Sequence, residues 1–168
     1  AVAVDTGNIT YKLAIADAQV KNKKYNDALD ILLKLSKKVS NNIDLVFAIC
    51  NVYSKKRYYT VAIGHCEEAV KINPNEVDAM NRLAWLYAKK RTNVDQGIEL
   101  IKTVIEKHPN SAKYIDTFSE LLYVNGDIAK ALEKIQEAIK LDPENSYYKQ
   151  QLWKFKNVIL EPLSTTLS

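Results

Sequence analysis

Short polar breaks divide the chain into stretches of nearly equal length. Pro74, Pro109 and Pro143 each lie in such a break, within the triplets Asn-Pro-Asn, His-Pro-Asn and Asp-Pro-Glu, and they are 35 and 34 residues apart. One period before Pro74 lies Ser40, in the triplet Ser-Asn-Asn. The breaks therefore mark an internal repeat with four windows, which are residues 9–42, 43–76, 77–111 and 112–145.

Apolar residues inside each window recur at the spacing of α-helices. The second window shows this twice, first at Val46, Ile49, Cys50 and Tyr53 and then, after a polar turn, at Ala62, Cys66 and Ala69. Each window is therefore predicted to form a helical hairpin, and in the fourth window Gly126 is predicted to end the first helix in the left-handed conformation. Helices of about 14 residues are marginal alone in water, so these hairpins must pack against one another.

Several positions of the repeat resemble the tetratricopeptide repeat family. That family's pattern of about 34 residues has bulky, small and aromatic residues on the first helix, then Ala, a bulky residue, Ala and Pro on the second. The third window carries it in Met80, Leu83, Ala84, Tyr87, Gly97, Ile101, Val104 and Pro109. The second and fourth windows match at the same positions, and the first matches less well, because Gln19 and Ser40 depart. The resemblance covers residues 9–145 and implies an all-α, right-handed solenoid of four hairpins.

A C-terminal capping helix is predicted over residues 146–159. Tyr148, Leu152, Phe155 and Ile159 form one apolar stripe, which would cover the last hairpin as the end of a solenoid requires. Trp153 lies off this stripe. The favoured interpretation is that the tail over 160–163 covers its ring; the alternative is an exposed ring that marks an oligomer or partner contact. The predicted organisation is an extension over 1–8, one repeat domain over 9–159 and a tail over 160–168.

Composition and charge narrow the classes of partner. The net charge is +4, and arginine occurs only at Arg57, Arg82 and Arg91. This excess of positive charge is smaller than a nucleic-acid binder usually carries, so no nucleic-acid partner is expected. No apolar run is long enough to span a bilayer, so the chain is expected to be soluble. The sequence leaves the compartment open, including a removed export signal, because it begins with Ala.

The residues of catalysis are nearly absent. The chain has no glycine-rich phosphate loop, no HExxH and no GxSxG, and its two histidines, His65 and His108, are predicted to be a surface residue and a helix-end residue. We therefore expect neither an enzyme nor a cofactor.

In the family's fold the positions of Cys50 and Cys66 meet. Two buried thiols are the favoured interpretation, and a disulfide, which needs Cα atoms closer than about 7 Å, is the alternative.

The resemblance implies that the first helix of each hairpin lines a concave groove. A protein or peptide partner is predicted to bind there through Phe47, Asn51, Asn81, Arg82, Trp85, Lys113, Asp116 and Tyr123. Aromatic residues would supply contact area, and polar ones would hold a backbone or a carboxylate. The alternative is that Trp85 only fills a gap between helices while the polar residues are solvated. One branch of the family binds chaperone tails through a Lys, Asn, Asn, Lys, Arg clamp; only Arg82 agrees in repeats one to three, so that role is not predicted.

A basic residue also recurs with the repeat. Lys21, Lys55 and Lys89 are 34 residues apart, and each begins a basic turn. Stacked hairpins would align them as a positive ridge for an acidic partner, lipid head groups or RNA. The alternative is that lysines simply favour the negative end of a helix.

The predicted function is that of a non-catalytic adaptor or scaffold, which binds a partner segment during assembly of a larger protein complex. Two alternatives stay open. One is a secretion-type chaperone for an exported client. The other is a self-associating scaffold, with a homo-oligomer contact through the C-terminal helix and Trp153.

Overall fold

The computed structural model describes residues 6–158. Within that range the chain forms nine α-helices and no strand. Their bounds are α1 (Thr6–Lys21), α2 (Tyr25–Ser36), α3 (Ile43–Lys55), α4 (Tyr59–Ile72), α5 (Val77–Lys90), α6 (Val94–Lys107), α7 (Ala112–Val124), α8 (Ile128–Leu141) and α9 (Ser146–Asn157). The predicted all-α chain of four hairpins and a final helix is confirmed. Ile159, predicted to end the last helix, lies outside the described residues.

The chain consists of two compact units, Ala1–Arg82 and Leu83–Ser168, and their boundary falls inside α5. In the first unit α1 packs on α2 and α3, and α3 packs on α4. In the second unit α7 packs on α6 and α8, and α8 packs on α9. No helix within residues 6–158 combines the length and the apolar character that a membrane crossing requires.

The turn inside each hairpin contains a residue in the left-handed backbone region. These residues are Lys23, Arg57, Arg91 and Gly126, with φ of 59°, 63°, 54° and 90°. Sequence reasoning assigned this conformation only to Gly126, because side chains other than glycine adopt it at a cost of roughly 1–2 kcal/mol. The basic turns therefore have a shared backbone geometry as well as a shared charge.

The third window has its extra residue in this turn. In the other three hairpins the left-handed residue directly precedes the N-cap of the second helix. In the third hairpin Thr92 lies between Arg91 and the N-cap Asn93. The extra residue of this window thus lies before α6 begins. The two helices of the hairpin therefore pair in the same register as in the other hairpins.

Gly97 marks the closest approach of helices in the second unit. A Cβ atom on Gly97 would lie 2.8 Å from Leu121 Cδ2, 3.5 Å from the carbonyl oxygen of Ala84 and 3.5 Å from Tyr87 Cβ. Leu121 is fully buried, so its side chain has little room to move away. The position therefore requires glycine for packing rather than for backbone freedom.

Cys50 and Cys66 form a disulfide that joins α3 to α4, so the favoured prediction of two buried thiols is wrong. Both residues are fully buried, and their Cα atoms are 5.4 Å apart. That separation falls within the range that a disulfide can bridge. In the repeat pattern the small-residue position of the first helix meets the bulky position of the second at this crossing, and cysteines at both positions bring the two sulfurs together.

Gly97→Ala is expected to destabilise the chain by about 1–3 kcal/mol, because the added methyl group overpacks the contact with Leu121. Gly64→Ala is the matched control, since a Cβ there has no neighbour within 4 Å and Gly64 also lies in the middle of a helix. That variant is expected to gain about 0.5–1 kcal/mol from helix propensity. Urea unfolding followed by circular dichroism measures both. Equal effects of the two substitutions would contradict the close approach at Gly97.

The double substitution Cys50→Ala/Cys66→Ala is expected to lower the free energy of unfolding by about 3 kcal/mol. The physical reason is that the disulfide, between residues 16 apart, restricts the unfolded chain. The control is the wild-type chain with reductant, which should lose a similar amount, while the double variant should not respond to reductant. A wild-type unfolding curve that is the same with and without reductant would rule out the bond.

Candidate functional site

The residues predicted to line a groove are divided between the two units. The first unit contains Phe47, Asn51, Asn81 and Arg82. The second contains Trp85, Lys113, Asp116 and Tyr123. The two sets have different surroundings within their own units.

In the first unit, Phe47 lies on α3 and is only partly buried. It packs against a cluster that includes Val46, Ala69 and Ala79. Ala79 belongs to α5, so this cluster places α3 beside the first turns of α5. Asn51 lies one turn after Phe47 on the same face of α3. Part of the Phe47 ring therefore remains available next to an amide side chain.

The amide oxygens of Asn51 and Asn81 are buried but accept no hydrogen bond from residues 6–158. Asn81 is 7% exposed. Gln19 on α1, which departs from the repeat pattern, also has a buried oxygen without a donor. Such an oxygen costs about 1–3 kcal/mol when nothing donates to it. Gln19 was not among the predicted site residues, although the sequence analysis noted that it departs from the repeat pattern.

Arg82 ends the first unit on α5. Burial lowers the pKa of its guanidinium group, and the negative charge of Asp78, one turn earlier, acts in the opposite direction. Arginine nevertheless stays protonated in proteins. The site therefore combines a cation with amide groups and an aromatic ring.

Tyr123 in the second unit is core, and its predicted role as an exposed aromatic anchor is wrong. The residue is 2% exposed, and its ring stacks on Phe155 of α9 with centroids 4.4 Å apart. Its hydroxyl donates to the carbonyl oxygen of Val158 at 2.5 Å. Helix α9 thus covers this end of α7, and no partner can reach the ring while α9 is in place.

Glu120 is the centre of a buried polar network between α5, α7 and α9. Its carboxylate accepts hydrogen bonds from Lys89 Nζ at 3.0 Å, from Gln151 Nε2 at 2.7 Å and from Lys154 Nζ. Burial by itself would raise the pKa of Glu120, but the two lysines hold that pKa below its usual value. Glu120 therefore stays ionised and ties the three helices together.

Asp116 lies one turn before Glu120 and is 6% exposed. Its Oδ1 atom is buried without a hydrogen-bond donor in the described chain. Burial, and then the charge of Glu120, raise the pKa of Asp116 to about 7, while Lys89 and Lys154 act in the opposite direction. A buried carboxyl with this pKa changes its charge near neutral pH.

Trp85 and Lys113 keep some exposure in the second unit. Trp85 is half-buried, and Lys89 Nζ lies 5.3 Å from the centroid of its ring. Lys113 is exposed, with its Nζ 5.0 Å from the centroid of the Tyr114 ring. Both residues already have intramolecular contacts, which a partner would have to share or replace.

The three periodic lysines have different environments. Lys21 is exposed and pairs with Asp17 at 2.6 Å, and Lys55 is exposed. Lys89 instead binds the buried carboxylate of Glu120. The prediction that Lys89 belongs to an exposed basic ridge is wrong, because the ion pair with α7 holds its ammonium group against the protein.

Trp153 and His65 lie on α9 and α4. Trp153 is 64% exposed. The segment 160–163, which was predicted to cover its ring, lies outside the described residues, so the covered ring stays a prediction. His65 is partly buried, since its ring stacks in parallel on Tyr53 with centroids 5.7 Å apart. Within residues 6–158 no group of three or more His, Cys, Asp or Glu side chains is arranged to hold a metal ion.

Comparisons with known proteins identify relatives of one kind. A family model for the tetratricopeptide repeat matches residues 78–111. The Hsp70-Hsp90 organizing protein 3 of Arabidopsis thaliana is 31% identical over 98 residues, which is 58% of this chain and 17% of that protein. This chain thus spans about a sixth of the length of that relative.

Solved structures share the fold at low sequence identity. MamA, residues 41 to the end, from Desulfovibrio magneticus RS-1 matches with a TM-score of 0.75 and 18% identity, over 88% of this chain and 82% of that chain. YrrB, described as a TPR protein with an unusual peptide-binding site, matches with a TM-score of 0.73 and 21% identity, over 87% and 75% of the two chains. At these identities the matches show the fold alone.

The raised pKa of Asp116 predicts how stability depends on pH. Between about pH 4 and 7 the folded chain holds a proton on Asp116 that the unfolded chain has released, so the free energy of unfolding falls as the pH rises. Asp116→Asn removes this proton uptake. The variant is expected to exceed the wild type in stability by about 1–4 kcal/mol at pH 8, and by less at pH 5.

Urea unfolding at several pH values between 5 and 8 measures this difference. The control is Asp30→Asn, an exposed carboxylate on α2. Its curve should stay parallel to that of the wild type. The prediction fails if Asp116→Asn shows the same pH dependence as the wild type, because Asp116 would then be ionised throughout the range.

Proposed function

We propose that this chain, which is a tetratricopeptide-repeat protein as its sequence predicted, is a non-catalytic adaptor that binds an extended segment of a partner protein. The fold itself indicates a scaffold for protein–protein interaction. The proposed contact surface lies in the first unit and is called here the α3/α5 face. It consists of Phe47, Asn51, Asn81 and Arg82.

The observation that carries this proposal is the pair of buried amide oxygens of Asn51 and Asn81. Neither oxygen accepts a hydrogen bond within the described chain, although both lie on first helices of hairpins. A primary amide presents an acceptor and two donors, which match the N–H and C=O groups of an extended peptide backbone. Recognition of backbone groups at fixed positions would hold a segment with little dependence on its side chains.

Phe47 and Arg82 supply the remaining interactions on the α3/α5 face. The partly buried ring of Phe47 offers apolar contact area whose rotamers are already restricted by the cluster around Ala79. The guanidinium group of Arg82 can bind a carboxylate through two parallel hydrogen bonds. Because these residues lie on packed helices, the partner segment is the component that loses conformational freedom on binding.

The related proteins support this function in part. YrrB, which shares the fold, is described as having an unusual peptide-binding site. The Arabidopsis relative is named Hsp70-Hsp90 organizing protein 3. The chaperone-tail clamp of one branch of the resembling family agrees with this chain only at Arg82 in repeats one to three. We therefore propose a peptide-binding adaptor in complex assembly and not a chaperone-tail adaptor. Trp85 and Lys113 are proposed as further contacts in the second unit.

A self-associating scaffold is the alternative that one specific observation favours. Trp153 is 64% exposed on α9, and large exposed rings often lie in contacts between proteins.

The double substitution Asn51→Ala/Asn81→Ala tests the α3/α5 face. Peptides are first selected against the wild-type chain from a random phage-displayed library, and the affinity of the purified peptides is then measured by fluorescence polarisation. The double variant is expected to bind about tenfold or more weakly, because two hydrogen bonds to the peptide are lost. Its free energy of unfolding should be unchanged or higher, since neither amide oxygen has a partner in the free chain.

The matched control is Asn22→Ala/Asn110→Ala, which removes two exposed amides. This control should bind the selected peptides as the wild type does. Peptides that bind the Asn51/Asn81 variant with undiminished affinity would refute the face. A double variant that unfolds more easily would show that the amides serve stability instead.

A further inference from the structure

A groove of about 380 Å³ lies between α1 and α2, away from the α3/α5 face. Its apolar part is formed by Tyr11, Ile15, Ile31 and Leu35, and its basic part by Lys12, Lys34 and Lys38. We infer that this α1/α2 groove is a second docking site, which binds a partner segment with apolar residues on one side and acidic residues on the other.

Helical spacing explains why these residues share one groove. Tyr11 and Ile15 are one turn apart on α1, while Ile31, Lys34 and Leu35 follow the i, i+3, i+4 pattern on α2. Because α1 and α2 pack together as a hairpin, the two stripes face the same groove. The second helix of the hairpin therefore presents apolar residues to the groove as well as to the core.

The apolar part of the groove is accessible to a partner. Leu35 is buried at 5% exposure, Ile15 and Ile31 are partly exposed, and Tyr11 at the rim is 67% exposed. The exposure thus increases from the floor to the rim. A volume of about 380 Å³ lies within the range of small-ligand pockets, which is room for a few apolar side chains.

The charge of the lining selects the kind of partner. The groove is lined by three lysines and by no carboxylate. None of these lysines forms an ion pair with another residue of the range 6–158, whereas Lys21 and Lys130 pair with nearby aspartates. Lysines that are not held in ion pairs attract an acidic segment and repel a basic one.

Two comparisons within the chain show that the positive charge of this groove is not a general feature of grooves or of helix ends. A second groove, on α6, is lined by Asp95 and Glu99 with no lysine, so grooves on this protein do not share one charge. Attraction of cations to the negative end of a helix accounts for Lys34 and Lys38 near the end of α2. It does not account for Lys12, which lies in the middle of α1.

A recessed floor favours a protein segment over a membrane surface. Lipid head groups would meet the lysines, but the apolar residues between the two helices lie below the rim, where a flat bilayer does not reach. A peptide can place an apolar side chain on Leu35 while its carboxylates meet the lysines. The inferred occupant is therefore an acidic amphipathic segment of another protein.

The probe is a fluorescein-labelled peptide of about 14 residues, with Leu and Phe at helical spacing and Glu at its other positions. Fluorescence polarisation should show binding to the wild-type chain, and a matched peptide with Gln in place of every Glu should bind about tenfold more weakly. Binding of the acidic peptide should weaken between about 25 and 300 mM NaCl, because the rim charges are exposed to solvent.

The decisive variant is Lys34→Glu/Lys38→Glu. It is expected to lose binding of the acidic peptide and to gain binding of the same peptide with Lys in place of Glu. Damage to the fold cannot produce that gain. The matched control is Lys37→Glu, which changes an exposed lysine of the same segment outside the groove, and it should keep most of the affinity.

Other outcomes would overturn the inference. Equal binding of the acidic peptide to the wild type and to Lys34→Glu/Lys38→Glu would place the contact elsewhere. Flotation with phosphatidylserine vesicles without peptide binding would assign the groove to a membrane, and a sedimentation mass that rises with concentration and falls in the variant would assign it to a second copy. Asn51→Ala/Asn81→Ala should keep the affinity for the acidic peptide, so failure of one site is distinguishable from failure of the other.

Discussion

The structure depends on close approach of helices at one small residue in each hairpin. Ala28, Ala62 and Ala131 are fully buried on the second helices, and buried Gly97 takes the corresponding place in the third hairpin. A larger side chain there would separate the two helices and expose the apolar stripes on which such short helices rely. The same geometry brings Cys50 and Cys66 within bonding distance, so the disulfide follows from the packing of α3 on α4.

Because the helices pair through their apolar faces, polar residues remain on the other faces of the first helices. The two units differ in the hydrogen-bond partners that these polar residues have. In the second unit, α9 supplies Gln151 and Lys154 to the carboxylate of Glu120. In the first unit, the oxygens of Asn51 and Asn81 have no such partner within the described chain. A polar group that the chain leaves unsatisfied is a place where a partner gains hydrogen bonds at little cost. Asp116 Oδ1 in the second unit also lacks a donor, but a carboxylate offers a peptide no N–H donor, so the two amides favour the first unit as the place of the proposed peptide site.

Local patterns in the sequence were enough to predict the helices and hairpins. Helical spacing and the polar breaks depend on neighbours along the chain, so Pro74, Pro109 and Pro143 could be interpreted without knowledge of the fold. The left-handed conformations of Lys23, Arg57 and Arg91 were missed, because only Gly126 has the residue type that signals it. The α1/α2 groove was missed as well, since the pattern predicts that the two helices pair but not which of their partly exposed side chains meet in one groove.

The sequence by itself determined the repeat and the hairpins, because both follow from periodic residue types, and the same positions carry the resemblance to the tetratricopeptide repeat. Only the tertiary structure decided which side chains of the predicted site are accessible. Tyr123 and Trp85 were both predicted to line the groove, yet Phe155 of α9 stacks on Tyr123, which is core, whereas Trp85 stays half-buried. Exposure depends on the neighbour that covers a helix face, and that neighbour is distant along the chain. A pattern of local spacing therefore predicts the face of a helix but not what lies against it.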